Sequence, residues 1–172
     1  TEVCRAFLAG KGAMPDGMET EIDVALSRLE KAAGARLGDS DKPLLLSVRS
    51  GAQASMPGMM DTVLDLGLND RTVEGLAQLH GARFAPDCHR RFIALFGSVV
   101  LGVAAERDPF QTLLDDFKRR RGAASDAELE APDLAALVQA FKQLIHDLTG
   151  KDVPEDPREQ PRGAIQAVFR SW

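Results

Sequence analysis

Leu44-Leu-Leu-Ser-Val-Arg-Ser-Gly-Ala-Gln-Ala-Ser-Met-Pro-Gly-Met-Met-Asp-Thr62 is the stretch on which the fold turns. Pro43 introduces an apolar β-type run, Leu44 to Val48, and the run delivers one arginine, Arg49. Small residues follow, then the turn Gly58, Met59, Met60, Asp61 and Thr62. A second short β-type run, Val63-Leu-Asp-Leu66, comes directly behind and stops at Gly67. Two strands joined by a glycine-bearing loop are therefore expected, the first buried on both faces because its apolar run does not alternate. A guanidinium at a strand end matches phosphate oxygens bidentately, and a loop of small residues offers backbone N–H groups to the same oxygens. The segment suits a phosphate-rich ligand.

Upstream, Glu2 to Ala9 has the pattern of a short helix closed by the turn Gly10-Lys11-Gly12. Asp16 and Glu19 are spaced as a capping box. Met18, Ile22, Leu26 and Leu29 then recur at helical spacing, predicting a helix to about Leu37 with one buried stripe. Beyond Asn69 the chain is helical throughout. Asp70 is placed to cap a helix running to His80, and Pro86 to open another with Phe92, Leu95, Phe96, Val99 and Val103 inward. Asp108-Pro109 is an N-cap followed by proline at the first helical position, with Phe110, Leu113, Leu114 and Phe117 facing the core. Leu134, Leu137, Val138, Phe141, Leu144, Ile145 and Leu148 form the strongest amphipathic pattern, and Asp156-Pro157-Arg158-Glu159 repeats the cap-and-proline device. The fold class is α+β and predominantly helical, with a break near Asn69 between a strand-bearing lobe and a helical one.

The bulk numbers exclude several classes. A chain of 172 residues with 44% hydrophobic and 27% charged content buries a core and is neither disordered nor fibrous. A net charge of -5 argues against a general nucleic-acid binder. No apolar stretch approaches the roughly 18 residues needed to cross a bilayer, so no membrane partner is expected. Cys4 and Cys88 have no metal-type spacing, which fits free thiols in a reducing cytoplasm. The chain opens without Met and stops within a helical pattern, so a piece of a longer protein is expected.

Ser47-Val-Arg-Ser-Gly-Ala, Ser55-Met-Pro-Gly-Met-Met-Asp-Thr-Val-Leu and Leu66-Gly-Leu-Asn-Asp70 closely resemble pyruvate phosphate dikinase. Thr1-Glu-Val-Cys4, Arg90-Arg-Phe92 and Ala167-Val-Phe-Arg-Ser-Trp172 resemble the same family in the same order, so the likeness spans the chain. It implies an ATP-grasp nucleotide-binding domain of a multidomain cytoplasmic enzyme. That enzyme interconverts ATP, phosphate and pyruvate with AMP, pyrophosphate and phosphoenolpyruvate through a phosphohistidine relay. The resemblance assigns residues 1–68 together with 154–172 to a partial ATP-grasp lobe and 69–153 to an inserted helical subdomain. ATP or AMP is the implied ligand. The glycine-rich stretch and its lysine would lie upstream, and the acidic ligands of Mg2+ downstream. The phosphohistidine domain and a pyruvate-binding barrel are the implied partners, in a homodimer. Two alternatives stand beside this reading: a scaffold that binds no ATP alone, and a piece of a phosphoenolpyruvate synthase-type dikinase or a drug phosphotransferase.

Arg49 is the expected catalytic and phosphate-clamping residue, its competing role being a structural ion pair at a strand end. Arg91 matches a family arginine reaching the same nucleotide from the helical lobe, with Arg90 as the solvated neighbour. Gly58, Met59, Met60, Asp61 and Thr62 are expected to offer backbone N–H groups and the Thr62 hydroxyl, while the methionine side chains pack inward. Asp61 is read as bonding its own backbone more readily than a metal. Gly10-Lys11-Gly12 lacks the spacing of a phosphate loop and is a solvated turn. Lys118 to Arg121 complement a helix C-terminus. His80, His89 and His146 have no metal-type partners, and no metal ligand is assigned within the chain.

Overall fold

The computed structural model describes residues 2–49, 62–103 and 108–171. Gly58, Met59, Met60 and Asp61 of the expected phosphate turn lie outside the described residues. The described elements are helices α1 (Glu2–Ala9), α2 (Met18–Ala33), α3 (Thr72–His80), α4 (Phe84–Val99), α5 (Pro109–Arg121), α6 (Ala131–Thr149) and α7 (Glu159–Arg170), with strands β1 (Leu46–Val48) and β2 (Val63–Leu66). The predominantly helical α+β class holds. A single 3-10 turn at Asp126–Glu128 joins α5 to α6.

β1 and β2 pair antiparallel as a two-stranded ribbon, with Leu46 opposite Leu66 and Val48 opposite Val63. The register slips between these pairs, so Leu64 and Asp65 face the single Ser47. Asp65 takes the left-handed conformation at φ 59°, which its short polar side chain tolerates. Leu44 and Leu45 precede the strand, and β1 alternates half-buried, exposed, half-buried. Burial on both faces is therefore not found: an apolar run packed on one helical layer needs no second sheet. Gly67 ends β2 at φ 112°, where an added Cβ would come 2.6 Å from the Leu44 carbonyl oxygen. That approach admits only glycine.

The main core centres on α4 and α6. Phe92, Ile93 and Phe96 meet Leu134, Leu137, Phe141 and Ile145, and Val63, Leu66 and Leu68 join the same cluster. Phe110 stacks edge-on against Phe141 with ring centroids 5.1 Å apart. The core thus runs across Asn69 without a gap. A smaller cluster of Ile22, Leu26 and Leu37 seats α2 against Leu46 and Ile165, where Arg158 pairs with Glu30 at 3.1 Å and Arg162 with Asp23 at 2.7 Å.

Several helix ends depart from expectation. Asp16 and Glu19 form no capping box: the cap of α2 is Gly17, with φ 79° and no side-chain hydrogen bond. α2 ends at Ala33 with left-handed Gly34 as its C-cap rather than at Leu37, which belongs to the turn that follows, and Leu29 is exposed. Asp70 does not cap α3. Asn69 does the equivalent work, its Oδ1 accepting from the N–H groups of Arg71 and Thr72 at 3.0 and 2.8 Å. α4 starts two residues before Pro86, leaving the proline in the first turn, where its missing donor costs nothing. Asp108 caps α5 as expected, accepting from Phe110 and Gln111. Asp156 accepts from the Arg158 N–H at 2.9 Å, but α7 begins only at Glu159. Leu148, at the end of the α6 stripe, is exposed.

One buried polar side chain ties the layers together. Gln160 is fully buried; its Oε1 accepts from the Gly67 N–H at 2.7 Å, and its Nε2 donates to the Leu68 and Pro154 carbonyls, both at 2.9 Å. Asn69 Nδ2 adds a bond to the Glu155 carbonyl at 2.9 Å. The segment leaving β2 is thereby fixed to the segment entering α7. Among the described residues no helix is long and apolar enough to cross a membrane.

Candidate functional site

Arg49 follows the last residue of β1 and is exposed. Thr62 precedes β2, and continuing the Val48–Val63 pairing places it across from Arg49 at the same end of the ribbon. These two residues flank residues 50–61, so the ribbon brings both ends of the expected phosphate segment together. β2 packs against α4, which carries Arg91. The charge of Arg91 is felt by Asp65 on β2, so strand and helix bring that arginine to the ribbon's flank.

The two neighbouring arginines of α4 have different roles. Arg90 is not solvated: its Nε donates to Asp87 Oδ1 at 2.8 Å and its Nη2 to Asp126 Oδ2 at 3.0 Å, with only 11% of the side chain exposed. Burial of an arginine with both faces of its fork engaged makes it a structural pair. Arg91 keeps half its side chain in solvent and reaches Asp87 Oδ2 and Cys88 Sγ, each at 3.4 Å from Nη2. Burial would lower the Arg91 pKa, but Cys88, Asp87 and Asp65 outweigh it and hold the guanidinium above its ordinary value. Burial raises the Cys88 thiol, so it stays protonated and unreactive at neutral pH. Burial likewise raises the Asp65 carboxyl, against the pull of Arg91.

The two basic motifs read as structural from the sequence sit at helix ends. Gly10-Lys11-Gly12 is a turn at the end of α1. Lys118 to Arg121 close α5, and Lys118 pairs with Asp115 and Asp126 while Arg121 pairs with Asp133. A cleft of about 640 Å³ is lined by Asn69, Asp70, Arg71, Glu74, Glu155, Asp156 and Pro157. Its carboxylates outnumber its single lining cation, which disfavours a polyphosphate, and neither Arg49 nor Arg91 lines it. Among the described residues no cluster of three His, Cys, Asp or Glu is placed to hold a metal ion.

Asp65, Asp87 and Cys88 had no place in the sequence reading of the site. For Asp87 a signal existed: it stands three and four residues before Arg90 and Arg91, the spacing at which charges meet along a helix.

The family model described as the pyruvate phosphate dikinase AMP/ATP-binding domain matches residues 3–172. The chain belongs to this family. The chain is 49% identical over 173 residues to pyruvate, phosphate dikinase 1, chloroplastic, of Arabidopsis thaliana, a match that takes in 100% of the chain and 18% of that protein. It is 46% identical to pyruvate, phosphate dikinase of Rhizobium meliloti (strain 1021), with 100% of the chain and 19% of that protein covered. Pyruvate, phosphate dikinase 2 of Oryza sativa subsp. japonica is 48% identical, again covering 100% and 19%. The chain therefore spans less than a fifth of the length of these dikinases, and its membership rests on the AMP/ATP-binding domain.

Proposed function

We propose that this chain forms one wall of the ATP site of a pyruvate phosphate dikinase, a phosphotransferase that interconverts ATP, phosphate and pyruvate with AMP, pyrophosphate and phosphoenolpyruvate through a phosphohistidine. The observation that carries the reading is the ribbon itself, whose Val48–Val63 pairing brings Arg49 and Thr62 to one end, on either side of residues 50–61, and whose β2 packs on the helix bearing Arg91. Two guanidinium groups, the Thr62 hydroxyl and the backbone N–H groups of Gly58, Met59, Met60 and Asp61 supply donors for phosphate oxygens. Arg49 neutralises charge that builds on the transferring phosphoryl group.

Residues 1–68 with 154–172 act as part of an ATP-grasp lobe and 69–153 as its helical insertion. Mg2+ accompanies the nucleotide, with ligands supplied from outside this chain, and supplies charge neutralisation there. The phosphohistidine domain and pyruvate barrel are the partners within a homodimeric enzyme. A cytoplasmic setting fits the two free thiols, Cys4 and Cys88.

Arg49→Ala in a full-length dikinase carrying this sequence is expected to lower kcat/KM for ATP about 100-fold while leaving the thermal melt in place. Near-normal turnover with ATP would remove Arg49 from the site. Calorimetric titration of the chain with MgATP separates a retained half-site, which saturates, from a scaffold, which stays silent.

A further inference from the structure

We infer that Asp87 is a positioning residue that aims Arg91 at the nucleotide, an inference that rests on the role of Arg91 proposed above. A single carboxylate faces two consecutive arginines, with Oδ1 on Arg90 Nε at 2.8 Å and Oδ2 on Arg91 Nη2 at 3.4 Å. The same Arg90 reaches Asp126 Oδ2 at 3.0 Å, and Asp126 Oδ1 takes the Lys118 ammonium at 3.1 Å. A chain of alternating charge therefore runs from the end of α5, through the 3-10 turn, into α4. It ends on Arg91, half of whose side chain stands in solvent.

Arg90 is the fixed point. Two charge-assisted bonds at 2.8 and 3.0 Å on a side chain 11% exposed leave it one geometry, and Asp87 inherits that geometry through Oδ1. Arg91 inherits it in turn through Oδ2, with Cys88 Sγ as a second stop on the same nitrogen. A long exposed arginine normally loses rotamer freedom when it clamps an anion, and a guanidinium already restricted loses less. At 3.4 Å the Asp87 contact is longer than the roughly 2.8 Å of a full charge-assisted bond, so it orients Arg91 without withholding it from a phosphate. Among the described residues only Nη2 is engaged. Among the described residues Nη1 and Nε have no hydrogen-bond partner and remain for the ligand. Asp65 faces the same guanidinium from β2 but forms no ion pair with it, so its charge adds to the field and not to the aim.

The test is a double-mutant cycle in a full-length dikinase, reading the KM for MgATP, the KM for pyruvate and the thermal melt. Arg91→Gln is expected to raise the KM for ATP about 10-fold or more, as loss of a charged hydrogen bond does. Asp87→Asn, which keeps an acceptor for Arg90, is expected to raise it about three- to fivefold and to leave the KM for pyruvate unchanged. The double variant should match Arg91→Gln alone, because a positioning residue has nothing left to position. Effects that multiply in the double variant, or an ATP-side KM unmoved by Asp87→Asn, overturn the inference. An Arg91→Gln enzyme with normal ATP kinetics would sink the site assignment itself, a distinct result. If Asp87→Asn does not fold, Asp126→Asn probes the same chain from one residue further away, with the same cycle and the same two outcomes.

Discussion

His89 makes the stability of this chain depend on pH in a window where most carboxylates are silent. It sits on α4 with 2% of its surface exposed, its ring stacked on Phe92 at 6.4 Å, and among the described residues its Nε2 has no hydrogen-bond partner. Burial, with a smaller push from Lys142 and a partial offset from Asp70, lowers its pKa from 6.5 to about 4. The folded chain thus holds a neutral imidazole where the unfolded chain binds a proton. Below pH 6.5 the unfolded state takes up that proton and the folded state does not, so stability falls as the pH drops and stops falling near pH 4. At about 1.4 kcal/mol per pH unit the whole descent amounts to about 3 kcal/mol, a large share of the 5–15 kcal/mol typical of a domain. Urea unfolding followed by far-UV circular dichroism, at intervals from pH 7.5 to pH 4.5, measures it. The comparison chain is His89→Leu, which has similar volume, no titratable group and no unpartnered nitrogen. The parent should lose about 2 kcal/mol more than the variant across that range. Parallel curves for the two chains would refute the argument that His89 is buried neutral.

Gln160→Leu removes the buried acceptor of the Gly67 N–H and the donor to the buried Leu68 carbonyl at the β2 exit, together with the donor to the part-buried Pro154 carbonyl before α7. Leaving such groups unpaired should cost about 3 kcal/mol, read as a lower urea midpoint at unchanged m-value, and a midpoint within error of the parent would refute it. Asp65→Asn keeps a residue suited to φ 59° and removes a carboxylate that burial disfavours. Since the folded pKa is raised, the charged form weakens the fold above the carboxylate range; the variant should be more stable at pH 7, and its advantage should vanish as the pH falls below 3.8. A constant difference at all pH values would contradict that account.

Local pattern carried the helices and the ribbon well, because helical stripes such as Phe92–Phe96 and the strand–turn–strand order are properties of spacing alone. It misjudged the ends. Asp16 and Gly17, or Asn69 and Asp70, are adjacent residues of nearly equal capping preference, and backbone geometry decides between them. It also misjudged β1, since an apolar run looks the same whether one face is covered or two. At the site, Arg90 and Arg91 are indistinguishable in a string of letters. What separates them is Asp126, 36 residues away from Arg90, which draws the first arginine inward and leaves the second to solvent. Gln160 was invisible for the same reason: two of its three partners, Gly67 and Leu68, lie more than 90 residues away.

The partners of Gln160 are separated from it by 93 residues at Gly67 and by 92 at Leu68. During synthesis at about 5–20 residues per second, the end of β2 therefore leaves the ribosome several seconds before the side chain that satisfies it. Over that interval the Gly67 N–H and Leu68 carbonyl must stay bonded to water, and the ribbon cannot seal against α7. Closing the clamp therefore cannot precede the synthesis of α7, and the exit of β2 stays tied to water until the last helix of the described chain is available.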